Sequence, residues 1–243
     1  MIIRPIKTRI ISDQDNLIDV IDLAITHLND KSIVCITSKV IALTDGRTIK
    51  KSNIDKNNLI EKEADLYIKP KKITDFYLTI KNNILIPSAG IDESNAGDNY
   101  ILWPENAQVS ANKFRAHFVN RFKHKNIGVL ITDSTTAPLR VGVRGIAISH
   151  SGFLAVNNYI GKPDMHNRKL KVTKVNVIDS LAAAAVFSMG EGNEQTPIAI
   201  IEDCTFVQFQ DRDPIQDELN SLKIPLEQDL FAPLLNAAEW SKS

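Results

Sequence analysis

The chain has 243 residues, and 43% of them are hydrophobic, which is enough for one large core or for two intertwined halves. Lys and Arg number 29 and Asp and Glu also number 29, so the formal net charge is zero. This balance argues against a nucleic-acid partner, because proteins that bind nucleic acid usually carry a basic excess or a basic stripe. The sequence also lacks a run of the roughly 20 apolar residues that span a bilayer. We therefore expect a cytoplasmic protein with no membrane partner, in which Cys35 and Cys204 are reduced thiols.

The elements of the first half are predicted from the spacing of apolar residues. Apolar residues at steps of three and four indicate a helix, and continuous β-branched runs indicate buried strands. In chain order we predict a strand at 2–6, a helix at 17–28 capped by Asp13 or Asp15, a strand at 33–37, a charged stretch with helical segments at 50–81, a strand at 84–86 and a loop at 88–97.

The second half continues without a regular alternation of strand and helix. This irregular order favours an α+β fold over a doubly wound sheet. The predictions here are a helix at 109–122, strands at 127–132 and 145–149, a helix at 177–189 that ends at Gly190, strands at 198–201 and 206–209, and an amphipathic terminal segment at 227–240.

Three segments place acidic and small polar residues where a strand or helix ends. Asp92 lies in the loop at 88–97, Asp133 follows a strand, and Glu191 lies between two glycines. Carboxylates in such places suit hard cations, which usually share their ligands with phosphates. Glycines let backbone N–H groups approach a phosphate closely. Each segment alone is as well explained by turn and cap chemistry, and the sequence does not show that the three meet.

A set of basic residues lies between the second and third acidic segments. Arginine can grip a carboxylate or phosphate through two parallel hydrogen bonds, although a solvated surface explains any one of these residues equally well. The sequence has neither of the two common glycine-rich nucleotide fingerprints. The basic set consists of Arg140, Arg144, Lys162, Arg168, Lys171 and Lys174.

Six short segments, taken in order, resemble those of the coenzyme F-420 γ-glutamyl ligase family. The resemblance covers nearly the whole chain and is strongest over 88–201. The segments read SAGIDESN at 88–95, ITDS at 131–134, YIGK at 159–162 with Asp164 after it, KVTKV at 171–175, LAAAA at 181–185 and MGEG at 189–192.

The resemblance implies an enzyme that phosphorylates a carboxylate and then joins it to L-glutamate through an amide bond. The expected co-substrate is GTP or ATP, and the expected cofactor is Mg²⁺ or Mn²⁺. The family fold is an α+β arrangement of two interleaved subdomains, here 1–87 plus 190–243 and 88–189, in an intertwined homodimer.

Matching the motifs residue by residue implies roles for particular side chains. Asp133 and Arg140 are the expected catalytic residues. The expected metal ligands are Asp92, Asp133, Ser134 and Glu191. The residues expected to contact nucleotide are Ser38, Lys39, Asn95, Met189, Gly190, Gly192, Asn193 and Thr196, and those expected to bind substrate are Arg144, Lys162 and Arg168.

Two departures from the family pattern affect the expected substrates. Leu43 stands where the family commonly has a nucleotide-contacting Lys, and Lys39 is the nearby candidate to replace it. Residues 133–140 read DSTTAPLR where the family commonly reads DTFGRPWR. These features resemble more closely the branch assigned to folate metabolism, with a pterin acceptor. The alternatives are the deazaflavin precursor of coenzyme F-420 and, because of Leu43, a non-catalytic protein that binds a pterin or a nucleotide.

Overall fold

A computed structural model describes residues 1–70 and 75–243. Residues 71–74, which belong to the charged stretch predicted at 50–81, lie outside the described residues. The elements of the first half are β1 (Ile2–Ile6), α1 (Leu17–Ala24), β2 (Ile33–Thr37), α2 (Ser38–Thr44), β3 (Thr48–Lys50), α3 (Lys56–Glu63), β4 (Leu66–Ile68), β5 (Leu78–Lys81), β6 (Ile84–Pro87) and β7 (Asn99–Ile101), with short 3-10 turns at Lys51–Asn53 and Ser88–Gly90.

The second half contributes the two long helices and the longest strands. Its elements are α4 (Ala107–Phe122), β8 (Gly128–Thr136), β9 (Val143–Ser151), β10 (Val156–Asn158), β11 (Lys174–Asn176), α5 (Val177–Met189), β12 (Ile198–Glu202), α6 (Gln216–Asn220), a 3-10 turn at Leu226–Gln228, α7 (Ala232–Leu235) and β13 (Ser241–Lys242).

A five-stranded sheet in the order β1-β12-β2-β8-β9 forms the centre of the molecule. Within it β2 and β8 are parallel and the other pairs are antiparallel. Alternate residues of β2 point to opposite faces, so Val34 and Ile36 pack with α1 and α4, whereas Ile33 and Cys35 pack with α5. Both faces of the sheet are thus covered, which is why β2 is apolar throughout its length.

A second, four-stranded antiparallel sheet in the order β13-β4-β5-β6 lies beside α3. Its core is partly aromatic, with Tyr67, Tyr77 and Tyr100 packed against Leu59 and Ile60. Smaller pairs join β3 to β7 and β10 to β11. The mixed sheets and helices confirm the predicted α+β fold. The proposed division into two subdomains stays a prediction, and the central sheet contains strands from both of them.

Most predicted elements are present, and the residues at which the helices begin and end have identifiable structural causes. The predicted helix at 177–189 is α5, and it ends at Gly190 with a positive φ of 80°. The helix predicted at 17–28 ends earlier, at Ala24, because Ile25 and Leu28 reach the same core from an extended chain. Its cap is Asn16 rather than either predicted Asp, and its side chain accepts a hydrogen bond from the backbone N–H of Ile18.

One predicted strand near the carboxyl end is wrong. No strand forms at 206–209, where the chain turns with a hydrogen bond from Val207 N–H to the Cys204 carbonyl and makes a single bridge from Phe209 to Phe153. The amphipathic segment predicted at 227–240 contains α7, which buries Ala232 and leaves Leu230, Phe231 and Leu234 exposed. Within the described residues, no helix combines the length and the hydropathy that crossing a membrane requires.

Candidate functional site

The carboxyl end of β2 lies beside the middle of β8, because the two strands are parallel and Thr37 pairs with Thr132. Lys39 therefore lies in the first turn of α2, just beyond β2, and Asp133 follows the paired residue on β8. Asp133 lies within β8 rather than after the strand as predicted, because pairing with β9 extends β8 to Thr136. Since β12 runs antiparallel to β2, the loop at 190–197 that precedes β12 reaches the same edge. Two of the three acidic segments thus meet at one edge of the central sheet.

The remaining acidic segment joins this edge through two side chains. The ammonium group of Lys39 lies 2.5 Å from a carboxylate oxygen of Asp92 and donates a hydrogen bond of 2.8 Å to the Ser94 hydroxyl. The amide of Asn95 donates to the Gly192 carbonyl at 3.0 Å. All three segments therefore converge, which the sequence alone could not show.

A cavity of about 370 Å³ lies between these segments. Its walls are formed by the chain at 8–11, one face of α2, residues 133–134 of β8 and the loop after α5. The backbone N–H of Thr8 donates to the Gln195 carbonyl at 2.9 Å, which ties the first wall to the last. The predicted site residues that line the cavity are Lys39, Asn95, Asp133, Ser134, Met189, Gly190, Glu191, Gly192, Asn193 and Thr196, and Leu43 lines it too.

The Asp133 carboxylate is held between two hydrogen-bond donors. The indole N–H of Trp103 donates to Oδ2, and the backbone N–H of Ser134 donates to Oδ1 at 2.8 Å. Burial raises the pKa of Asp133 to about 6; the two donors and the charge of Lys39 oppose this rise, and the charge of Asp92 adds to it. Because the ionised carboxylate is poorly solvated, a nearby cation would stabilise it.

Asp92 is stabilised in its ionised form by Lys39. Burial acts to raise its pKa, but the hydrogen bond and charge of Lys39 and the two donors of Ser94 outweigh burial, so the pKa lies below its ordinary value. Lys39 is therefore the counter-ion of one carboxylate and also acts by charge on the other, Asp133.

The loop after α5 is shaped by its own acidic side chains. The Ser134 hydroxyl donates to Glu191 at 2.6 Å, which ties the loop to β8. The Glu194 carboxylate folds back and accepts the backbone N–H of Gly192 at 2.8 Å. A Cβ at Gly190 would meet only the flexible end of Glu194, which can move aside, so it is the positive φ of 80° that requires glycine there.

The acidic residues do not form a complete metal cage by themselves. Among residues 1–70 and 75–243, no group of three or more His, Cys, Asp or Glu side chains could hold a metal ion. The oxygen donors occur instead as neighbouring pairs, such as Ser134 with Glu191 and Asp92 beside Asp133. An all-oxygen set that is incomplete in this way fits Mg²⁺ or Mn²⁺, which takes its other ligands from water and phosphate.

The other predicted site residues lie away from the cavity wall. Ser38 is buried at the start of α2. The four predicted basic residues are exposed on two hairpins, β8–β9 and β10–β11. Lys162 lies over the ring of Tyr159, 4.7 Å from its centroid, and Arg168 pairs with Asp164 at 3.2 Å. The roles given to Arg140, Arg144, Lys162 and Arg168 stay predictions.

Sequence reasoning missed three residues of the site. Arg9 lines the cavity and makes two hydrogen bonds of 2.6 and 2.8 Å to Asp15. Glu194 shapes the glycine loop, and Trp103 holds Asp133. The signal for Glu194 was present in the acidic and glycine-rich run that contains it. No sequence pattern places Trp103 against a residue that lies 30 positions away.

The fold and the site define an α+β protein with a polar, oxygen-rich cavity at the edge of its main sheet, as expected of a protein that binds a small molecule. The family model described as F420-0:gamma-glutamyl ligase matches residues 5–203, and the chain belongs to that family. The resemblance found in its motifs is therefore confirmed.

Similar proteins support the same assignment. The chain is 32% identical over 200 residues to the coenzyme F420:L-glutamate ligase of Methanococcus maripaludis strain C7, covering 76% of this chain and 80% of that protein. It is 36% identical over 153 residues to the coenzyme F420:L-glutamate ligase of Methanocaldococcus jannaschii, covering 62% and 58%. It is 28% identical over 208 residues to the protein of that name in Archaeoglobus fulgidus, covering 79% and 83%.

Proposed function

We propose that this protein is a nucleotide- and metal-dependent ligase that joins L-glutamate to a carboxylate acceptor through an amide bond. The observation that carries the proposal is the convergence of Asp133, Glu191 and the glycine loop on one cavity, with Asp92 paired to the cavity residue Lys39, in a chain of the γ-glutamyl ligase family. The named relatives are glutamate ligases, which supports the same class of reaction.

In this proposal the cavity holds GTP or ATP together with Mg²⁺ or Mn²⁺. When bound, the cation would neutralise the charge that develops on the transferring phosphoryl group. The carboxylates of Asp92, Asp133 and Glu191 and the hydroxyl of Ser134 would hold it. Backbone N–H groups of the loop after α5 and the ammonium of Lys39 would bind the phosphates.

The reaction requires two displacements. An acceptor carboxylate oxygen attacks the γ-phosphorus, the bond to the bridging oxygen breaks, and the nucleoside diphosphate leaves. The neutral amine of glutamate then attacks the acyl carbon, inorganic phosphate leaves, and the amine proton passes to solvent. The protein must align the carboxylates and exclude water from the acyl phosphate. We assign the grip on the substrate carboxylates to Arg140, with Arg144, Lys162 and Arg168 as further contacts.

The acceptor in this proposal is a pterin whose tail ends in a carboxylate. The departure of residues 133–140 from the common family sequence supports an acceptor that differs from the deazaflavin. The second candidate is the deazaflavin precursor of coenzyme F420, and it is favoured by the names of the relatives.

We also propose that the protein acts as a homodimer. Supporting this, the tip of the β8–β9 hairpin exposes Leu139 and Val141 fully, and the β10–β11 hairpin exposes Met165 and Val172. Large apolar side chains that are exposed close together in sequence on a hairpin are typical of an interface. Sedimentation of the Val141→Glu variant tests this part, and an unchanged molecular mass would contradict it.

The direct test is a mass-spectrometric assay. The protein is incubated with Mg²⁺ or Mn²⁺, GTP or ATP, L-glutamate and either pteroate or the deazaflavin precursor. We expect one acceptor to gain a glutamyl unit with release of nucleoside diphosphate, and we expect Asp133→Asn to abolish both. The absence of product with every combination would refute the ligase. Saturable nucleotide binding in that case would favour the alternative of a non-catalytic nucleotide- or pterin-binding protein.

A further inference from the structure

Trp103 is almost completely buried, at 3% exposure, and it links the small sheet to the site carboxylate. It lies two residues after the end of β7, and its indole N–H donates to Oδ2 of Asp133. The other carboxylate oxygen accepts the backbone N–H of Ser134 at 2.8 Å. One donor on each oxygen fixes the plane of the carboxylate, and each oxygen keeps a lone pair for another partner.

The indole is itself held from several sides. Gly90 lies against it so closely that a Cβ there would collide with the indole nitrogen. The ammonium of Lys81 lies 5.7 Å from the ring centroid. Arg47 donates to the Trp103 carbonyl at 3.2 Å. Glu63 pairs with both cations, with Lys81 at 2.7 Å and with Arg47 at 2.9 Å.

The charges beside the indole are paired with one another. Lys81 is 8% exposed, and a buried cation is tolerated only when it is paired. Lys81, Glu63 and Arg47 therefore form a paired group of buried and partly buried charges beside an indole whose N–H donates to Asp133. A hydrophobic ring without an N–H would fill the same space, so the use of tryptophan points to the hydrogen bond.

We infer that Trp103 is a positioning residue that orients the Asp133 carboxylate for a divalent cation and that its indole senses the binding of that cation. The inference rests on the proposed function, because it assumes that Asp133 is a metal ligand. Groups that hydrogen-bond to a ligating side chain typically contribute about 10- to 100-fold to metal affinity.

Two matched variants test the positioning role. Trp103→Phe removes the N–H to Asp133 and keeps an aromatic ring. Trp240→Phe removes the protein's other tryptophan, whose N–H donates to the Leu235 carbonyl at 2.7 Å near the chain end. Mn²⁺ affinity, measured by the electron paramagnetic resonance of free Mn²⁺ in the presence of a non-hydrolysable nucleotide, should fall about 10-fold or more in the first variant and stay unchanged in the second.

A second measurement needs no change at Trp103. Incorporation of 5-fluorotryptophan gives two ¹⁹F resonances, and Trp240→Phe assigns them. Addition of Mg²⁺ with nucleotide should shift the Trp103 resonance in the wild-type chain, and Asp133→Asn should remove the shift.

The possible outcomes separate this inference from the proposed function. Absence of Mn²⁺ binding by the wild type would refute the proposed metal-dependent function and the inference together. Wild-type binding with equal affinity in Trp103→Phe, or with no movement of the Trp103 resonance, would overturn the inference and leave the proposed function intact. A lower kcat with an unchanged KM for glutamate is the further result expected of a positioning residue.

Discussion

Lys39 offers the most informative perturbation, because it is the counter-ion of the site carboxylates. Its ammonium lies 2.5 Å from Asp92 and also lowers the pKa of Asp133 through its charge. Lys39→Met keeps much of the side-chain length and removes that charge. Two neighbouring carboxylates then face each other without a cation, and we expect the protein to be destabilised.

The expected loss can be bounded from the exposure of the pair. Removing one partner of a fully buried ion pair costs about 3–5 kcal/mol. The Lys39 and Asp92 side chains are 25% and 36% exposed, so solvent screening reduces the expected loss. We expect the free energy of unfolding at pH 8 to fall by about 1–2 kcal/mol.

Divalent cation should reverse this loss, because Mn²⁺ can take the place of the missing ammonium. A ligand at 100 times its Kd stabilises the folded state by about 2.7 kcal/mol. Thermal melting with and without Mn²⁺ should therefore show a gap between Lys39→Met and wild type that closes when Mn²⁺ is added. The nucleotide Kd of the variant should rise, since a phosphate contact is lost.

The matched control is Lys125→Met, which removes an exposed ammonium 3.3 Å from Asp211. Its melting temperature should respond to Mn²⁺ as the wild type does. If Mn²⁺ raises the melting temperatures of wild type and Lys39→Met equally, the reasoning that places Lys39 where the cation binds is refuted.

Three further predictions follow from the cavity. Glu194→Gln removes the negative charge that lies at the Gly192 N–H and repels nucleotide phosphates. Nucleotide should therefore bind about fivefold more tightly, as measured by calorimetry, and weaker binding would contradict this repulsion. Gly190→Ala should lower the melting temperature, because a φ of 80° with a ψ of 173° is a conformation that essentially only glycine adopts, whereas Gly46→Ala, at a φ of 72° in open space, should cost only about 1 kcal/mol of backbone strain. Protonated Asp133 cannot bind a cation, and burial raises the pKa of Asp133 to about 6. The affinity for Mn²⁺ should therefore fall about tenfold per pH unit below pH 6 and level off above it. An affinity that is independent of pH between 5 and 7 would show that Asp133 is not a metal ligand.

The elements that sequence predicts well are those decided by local pattern. The helix at 177–189 is an apolar, alanine-rich run followed by glycine, and both of its ends agree with the structure. The strand Ile33–Thr37 is β-branched along its length because both faces of the central sheet are covered. The strand expected at 206–209 fails because two aromatic residues alone do not supply a pairing partner.

The assembly of the site depends on pairings that no local pattern encodes. Thr37 and Thr132 are brought together by a parallel strand pair, and the Asn95 hydrogen bond to Gly192 joins residues 97 positions apart. Family motifs supplied many residues of the cavity, but they could not supply Arg9, which lines it, or Trp103, whose indole fits beside Asp133 because Gly90 leaves room for it.

The charges around the cavity suggest how its ligands must arrive. Asp92 is already paired with Lys39, and Glu194 already occupies the Gly192 N–H. A free cation would have to compete with the ammonium, and a free nucleotide would meet the carboxylates of Asp133, Glu191 and Glu194, which line the cavity. A metal–nucleotide complex reduces both the competition and the repulsion, because its cation would face the carboxylates while its phosphates would face Lys39. The local balance of charge thus favours binding of the complex over binding of either part alone.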